Sequence, residues 1–391
     1  MSDGQGQQGA GVGVGIETGP GWHAGAVPPP QVGTAMSLVL TGRQHTPGDA
    51  VREFESYLHR QGMSRRELWG LWEQAGAGDG AAVGGAVGGG HPGWAAAERM
   101  RAAVMGLPQP GKTAMLFVSP AVGGWAGGGR AGVQRVAGLA GEVSARLLSG
   151  MDEDESGGPS VRIVQALLDP GQALEQETLS AAGFARLAKL VYMARTLDPG
   201  RRGAELDLNG ALPGDAGEGQ AWQERGYSPL THPAFAAAVL ASYEDTLDCP
   251  GLLGLRTIED VLAGHRATGR FDASLWRLVM VGDEPAAVIL LAAVGLPSGD
   301  GPKQNVDGTP ATAAGGAAAE TYELVYLGVS KRFRGRGLAG RLLRYGMGLV
   351  HARGGRRLLL AVDDRNEPAV SLYRSLGFRA TARKLAMIRS K

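Results

Sequence analysis

Among 391 residues there is a single cysteine, Cys249. An intramolecular disulfide is thereby excluded, and a zinc site built on thiolates has no ligands to draw on. The chain also lacks an excess of charge: 39 Lys and Arg face 38 Asp and Glu, for a formal +1. Such a balance argues against a protein built as a whole to coat nucleic acid. No apolar run reaches the roughly 18 residues that a membrane-spanning helix needs. The opening MSDGQGQQGAGVGVG carries neither the basic start nor the apolar stretch of a secretory signal, so the expectation is a cytoplasmic protein without a membrane partner.

What the chain does hold is length, apolar residues and glycine. At 391 residues it exceeds what one core normally supports, and its 43% apolar content suffices for two modest ones. The 65 glycines are clustered. Residues 1–34, 76–93, 198–228 and 296–319 read as flexible, and the third of these separates two patterned regions. The expected organisation is a tail over 1–34, a first domain over 35–197, a linker over 198–228 and a second domain over 229–391.

The two regions repeat one another. Residues 162–196 match residues 356–390 at an offset of 194, with Gly183-Phe184 over Gly377-Phe378, Asp169 over Asp363 and Arg195 over Arg389. Each copy reads as strand, short helix, glycine stop and a second extended stretch, so two copies of one α/β fold are expected. The copies differ where chemistry could reside: Asn366 stands over Gln172, and Tyr373 over Leu179.

In the second region, Pro233–Thr246 and Thr257–Thr268 look helical, the latter opened by a Thr cap and acidic residues. Ser274–Val281 and Pro285–Val294 form a hairpin pattern around Gly282-Asp283. A strand follows over Tyr322–Val329, then the turn KRFRGRG, then a helix with Leu338, Leu342, Tyr345 and Leu349 at helical spacing. A strand, a glycine-rich basic turn and a helix start suit a pyrophosphate. Glycines 335 and 337 allow close approach and unusual backbone angles, and the free N–H groups of the helix start point at the anion.

Arg332-Phe333-Arg334-Gly335-Arg336-Gly337 resembles the R/Q-x-x-G-x-G/A signature of the GNAT superfamily of N-acetyltransferases. LVYLGV before it and NEPAVSLYRSLGF after it stand at the spacing of that family. The resemblance covers about 230–391, and residues 100–196 resemble a degenerate second copy. It implies an α/β class with a mixed sheet: two acyl-CoA N-acyltransferase folds in tandem, the second catalytic. It also implies acetyl-CoA as co-substrate, an amine as the other partner and no metal. By that resemblance Arg332 and the backbone of Arg334, Gly335, Arg336, Gly337, Leu338, Ala339 and Gly340 hold the pyrophosphate. The strand backbone at Leu327 and Val329 pairs with the pantetheine arm, and the Val329 N–H faces the thioester oxyanion. Asn366 reads as a helix N-cap, a role compatible with the family's use of this residue to bond pantetheine.

Tyr373 is the expected proton donor to the departing thiolate, since phenol and thiol have comparable ordinary pKa values. The alternative is a tyrosine merely packed beside Leu372 and Leu376. Glu323 is a candidate base for the amine proton if its strand face is buried; a solvated residue at a strand start is the equal alternative. Residues 331–391 hold 16 Lys and Arg against three acidic residues, which favours attraction of the CoA phosphates, with no recognised nucleic-acid module present.

Gly106–Thr113 satisfies the P-loop pattern G-x4-G-K-T. The reading here is a turn from a helix (Trp94–Met105) to a strand (AMLFVSP), which is the wrong context for an NTPase, and two prolines deny the loop N–H donors. In the first copy AVGGWAGGGRAG occupies the place of the cofactor turn without its residue order, and with Leu179 in place of a tyrosine that half reads as silent. Cys249, His232 and His265 read as structural. The rival to an enzyme is a non-catalytic acyl-CoA-binding regulator.

Overall fold

The computed structural model describes residues 21–41, 49–60, 67–74, 98–120, 129–150, 161–197, 222–294 and 321–391. The loops expected at 76–93 and 296–319, most of the 198–228 linker, and residues 121–128 of the first copy's glycine-rich turn lie outside them. Ten elements make the first half: β1 (Trp22–Ala26), α1 (Val32–Thr41), α2 (Asp49–Arg60), β2 (Glu67–Gln74), β3 (Glu98–Gln109), β4 (Thr113–Val118), α3 (Gly129–Ser149), β5 (Ile163–Leu168), α4 (Ala173–Ala181) and β6 (Ala185–Thr196). The second half repeats their order: β7 (Trp222–Gly226), α5 (His232–Ser242), α6 (Ile258–Arg266), β8 (Trp276–Val281), β9 (Glu284–Val294), β10 (Thr321–Val329), α7 (Leu338–Ala352), β11 (Arg357–Asp363), α8 (Glu367–Ser375) and β12 (Arg379–Ser390). The expected tandem α/β architecture is present.

The twelve strands among the described residues form one sheet in the order β1-β2-β3-β4-β5-β12-β6-β11-β10-β9-β8-β7. The order is a palindrome under exchange of equivalent strands, and it shows that the halves trade their last strand. β12 pairs antiparallel with β5 of the first half, and β6 pairs antiparallel with β11 of the second. Side chains follow the backbone. Val191 and Met193 of β6 sit in the core beneath α7 and α8, while Leu385 and Met387 of β12 sit in the core beneath α3 and α4. Arg195 donates to the Leu376 carbonyl at the end of α8. Its repeat partner Arg389 donates to Gly141 O at 2.8 Å and to Ser144 Oγ at 2.6 Å, both on α3. These charge-assisted bonds are of the stronger kind, and each fastens an exchanged strand to its host.

Three expectations need correction. The described part of the expected helix, residues 98–105, belongs to a strand, β3, which pairs with β2 and β4; residues 94–97 lie outside the described residues. β3 is covered on both faces, with Ala102 and Val104 in one core and Met100, Ala103 and Met105 in another. Beyond Arg101 no polar residue marks a period of two as far as Gly106, so an Ala- and Met-rich strand mimics a helix. The P-loop look-alike is therefore the turn of the β3–β4 hairpin, where Gln109 faces Thr113. Lastly, the stretch expected as a tail contributes β1, paired with β2, and Gln31, which accepts from Trp72 Nε1 at 2.8 Å. The second half likewise begins with β7 at buried Trp222, inside the stretch expected as linker.

Candidate active site

The site exists because two parallel neighbours part. β10 and β11 pair only from Thr321 to Glu323, opposite Arg357 to Leu359. Beyond Glu323 a bulge at Val325 bends β10 away: Leu324 faces Leu291 and Tyr326 faces Leu290, with no partner residue between. A cleft of about 450 Å³ opens there, walled by Leu324–Val329, by Leu360 and Ala361 of β11, and by Asn366, Leu372 and Tyr373 at α8. Backbone amides along it have no partner on the cleft side among the described residues. Ser330 N–H donates to Ala286 O on β9 at 2.9 Å, so the two-residue alternation of a strand turns the amides of Leu327 and Val329 toward the cleft. Val329 O already accepts from Arg334 Nε at 3.1 Å on that side.

The glycine-rich turn closes one end. Gly335 and Gly337 have φ of +76° and +75°, and a Cβ on either would meet nothing within 4 Å. They are glycine for their backbone angles, and the space before them is open. Gly337 caps α7 with no side-chain acceptor, which leaves the first-turn amides of Leu338, Ala339 and Gly340 as donors at the positive end of the helix. All three residues line the cleft. This open cradle and its free amides fit a diphosphate.

The arginines of the turn behave differently from their expected part. Arg332 forms an ion pair with Glu284 at 2.5 Å, and neither Arg332 nor Arg336 lines the cleft. Arg334 lines it, but its guanidinium is tied to the carbonyls of Ser242 (2.9 Å) and Glu244 (2.8 Å) past the end of α5. These side chains shape the turn, while the amides face the ligand space.

Asn366 caps α8 by accepting from Ala369 N–H at 3.3 Å. Gln172 holds the same backbone angles in the first half but makes no such cap. Tyr373 is 7% exposed and packs on Phe378 with ring centroids 5.8 Å apart. Its hydroxyl has no hydrogen-bond partner among the described residues. Burial, and secondarily the charge of Asp248, push its pKa well above the ordinary 10.0. In the first half Leu179 fills the matching position and is wholly buried.

Glu323 is half-buried, and loss of solvation raises its pKa. Under unbroken alternation it would share a strand face with Val325 and Leu327. The bulge breaks that pattern: Val325 and Tyr326 both pack with the α5–α6 core, while Leu327 and Val329 pack with the α7–α8 core. Glu323 therefore immediately precedes the cleft wall rather than lining it, with Tyr192 of the exchanged β6 close enough to feel its charge.

Sequence reasoning missed Asp248. It lies between α5 and α6 on the cleft wall, and no spacing or periodicity marks it. Desolvation raises its pKa. Beside it, burial and the two neighbouring carboxylates push the Cys249 thiol up to about 12, which keeps it protonated. His232 bridges Tyr227 Oη (2.8 Å) and Glu259 (2.9 Å), and burial pushes His265 down to about 4. Among the described residues no group of three His, Cys, Asp or Glu gathers as a metal site, and no helix is long and apolar enough to cross a membrane.

Residues 270–378, from before β8 to the end of α8, match the model of the acetyltransferase (GNAT) family. A mycothiol acetyltransferase of Corynebacterium glutamicum is 42% identical over 59 residues, 15% of this chain. Another, from Corynebacterium aurimucosum, is 39% identical over 56 residues, 14% of this chain. The matched segments span about a fifth of those relatives, 20% and 18% of their lengths. A GCN5-related N-acetyltransferase from Sphaerobacter thermophilus superposes over 95% of this chain and 96% of its own, with TM-score 0.50 and 17% identity, which shows a shared fold. The segment that holds the parted strands thus matches the acetyltransferase (GNAT) family, and the chain as a whole shares the fold of a GCN5-related N-acetyltransferase.

Proposed function

We propose that the second half transfers an acetyl group from acetyl-CoA to a primary amine by direct attack in a ternary complex, and that the first half is catalytically silent. The observation that carries this reading is Tyr373, a buried residue whose hydroxyl has no partner among the described residues, on the wall of a cleft whose far end is a cradle of amides. The name shared by the curated relatives, an acetyltransferase, agrees with it.

In this reading the amides of Leu338, Ala339 and Gly340 receive the diphosphate, and those of Leu327 and Val329 pair with the pantetheine arm. Glu323 takes one proton from the acceptor's ammonium through water, which frees the nitrogen lone pair. As the N–C bond forms and the C–S bond breaks, the Val329 N–H stabilises charge on the carbonyl oxygen. Tyr373 passes its proton to the sulfur, and the second proton that nitrogen sheds as the amide forms returns through water to the Tyr373 phenolate. General acid help of this kind is worth about 10²–10⁴ in rate. Desolvation suits both proton carriers: a raised carboxyl is a stronger base, and a raised phenol stays protonated at neutral pH.

The test is calorimetry with CoA followed by thiol release from acetyl-CoA in the presence of amine pools. Uptake of CoA with amine-dependent thiol release supports the reading. Uptake without release turns the protein into an acyl-CoA-binding regulator, and no uptake removes both.

A further inference from the structure

The loop joining α5 to α6 is held in an unusual shape. Asp245 and Cys249, neither of them glycine, take φ of +50° and +47°, a left-handed backbone that costs roughly 1–2 kcal/mol per residue in a chain of L-residues. A reciprocal latch offsets that strain. Asp363 N–H donates to Asp248 Oδ1 at 2.9 Å, and Cys249 N–H donates to Asp363 Oδ2 at 3.2 Å. Asp363 is neutralised by Arg365 at 2.6 Å. The repeat partner of Asp363 carries no such latch: Asp169 instead meets Lys384 at 2.7 Å.

The latch leaves Asp248 incomplete. It accepts one backbone hydrogen bond through Oδ1, while Oδ2 accepts none and no cation pairs with it among the described residues. It stands on the cleft wall with Tyr243, Tyr326 and Tyr373, close enough that its charge raises the phenols of all three. A carboxylate drawn into a cleft without a counter-ion is unfavourable until a cation arrives. The nearby arginine, Arg334, is committed to carbonyls. Tyr373, buried as a residue and with no hydrogen-bond partner for its hydroxyl among the described residues, lines the same space.

We propose that Asp248 receives the ammonium of the acceptor, so that the acceptor binds as a cationic primary amine with its nitrogen between Asp248 Oδ2 and the acetyl carbonyl. This rests on the acetyl-CoA reading of the cleft. An ammonium has three N–H donors. One is held by Asp248 and a second is relayed to Glu323, so the two carboxyls divide binding from proton removal.

Asp248→Asn keeps the oxygen that accepts from Asp363 N–H and removes the charge. The probes are n-butylamine, a cation at neutral pH, and hydroxylamine, which is uncharged there, each with acetyl-CoA and thiol detection. The wild type is expected to saturate with n-butylamine. The variant is expected to raise that KM by about 30-fold or more, while CoA affinity and the hydroxylamine rate stay within about twofold. An independent arm uses the wild type alone: n-butylammonium slows the hydroxylamine reaction and n-butanol does not. An unchanged KM, a parallel loss toward both probes, loss of CoA binding in the variant, a wild type that n-butylamine does not saturate, or equal inhibition by ammonium and alcohol overturns the assignment. A wild type that takes up no CoA overturns the acetyl-CoA reading instead.

Discussion

Replacing Tyr373 by phenylalanine removes one oxygen from the centre of the proposed chemistry and little else. The ring keeps its contact with Phe378 and its place beneath α7. Because the hydroxyl has no protein hydrogen bond among the described residues, stability should shift by no more than about 0.5 kcal/mol. The cleft's amides are untouched, so CoA affinity should hold within about twofold. The rate should fall by about 10²–10³, or roughly 3–4 kcal/mol of barrier, the share that a positioned general acid supplies. The sign of the pH dependence follows from the same burial. A proton donor works while protonated, and its folded pKa lies above 10.0, so the wild type should show no alkaline decline from this group below that value. Single-turnover thiol release, melting curves and CoA titration measure the three quantities. A rate within about threefold of wild type, or a rate loss matched by lost CoA affinity, would refute the argument.

Glu323→Gln should lower kcat by about 10²-fold or more and leave the amine KM in place. It should also raise stability near neutral pH by about 1 kcal/mol, because the carboxylate no longer has to be charged there. Its folded pKa is raised, so the wild type is relatively more stable below the ordinary 4.5, and that advantage of the variant should vanish in thermal melts at lower pH. Gly337→Ala meets no atom but forces φ of +75° on a Cβ. CoA affinity should drop about tenfold or more by calorimetry, with a stability cost of about 1–2 kcal/mol. Gly111→Ala lies in the first half, yet its Cβ would come within 2.4 Å of the Asp260 carbonyl on α6. Thermal melts should show a loss exceeding about 2 kcal/mol, and acetyl transfer should fall with it.

The features carried by local chemistry were legible in the sequence. Gly335 and Gly337 announced positive φ, Thr257 announced a capping box completed by Asp260, and the repeat offset placed Tyr373 over Leu179, a pair the fold puts at matching positions of α8 and α4. What escaped depends on distant partners. Nothing within residues 185–196 says whether that strand pairs in its own half or across, since its alternating apolar pattern suits either neighbour. β3 escaped because both its faces are covered. The bulge at Val325 moved Leu327 off the face assigned to Glu323, and a single extra residue leaves no trace in composition. Asp248 was invisible because its place is fixed by Asp363, 115 residues away.

The strand exchange also dictates an order of assembly. During synthesis the first half emerges with its helices and five of its strands, but the slot beside β5 stays empty until Arg379–Ser390 has been made. Until then Val164, Ala166 and Leu168 border an unpaired edge, the kind of exposed template that invites association with other chains. β6 meanwhile waits for β11, which is translated more than 150 residues later. Neither core can close early, and both close together. The first half is thus half of a single folding unit, and deleting it would leave the second half without the strand that pairs with β11, one wall of the cleft.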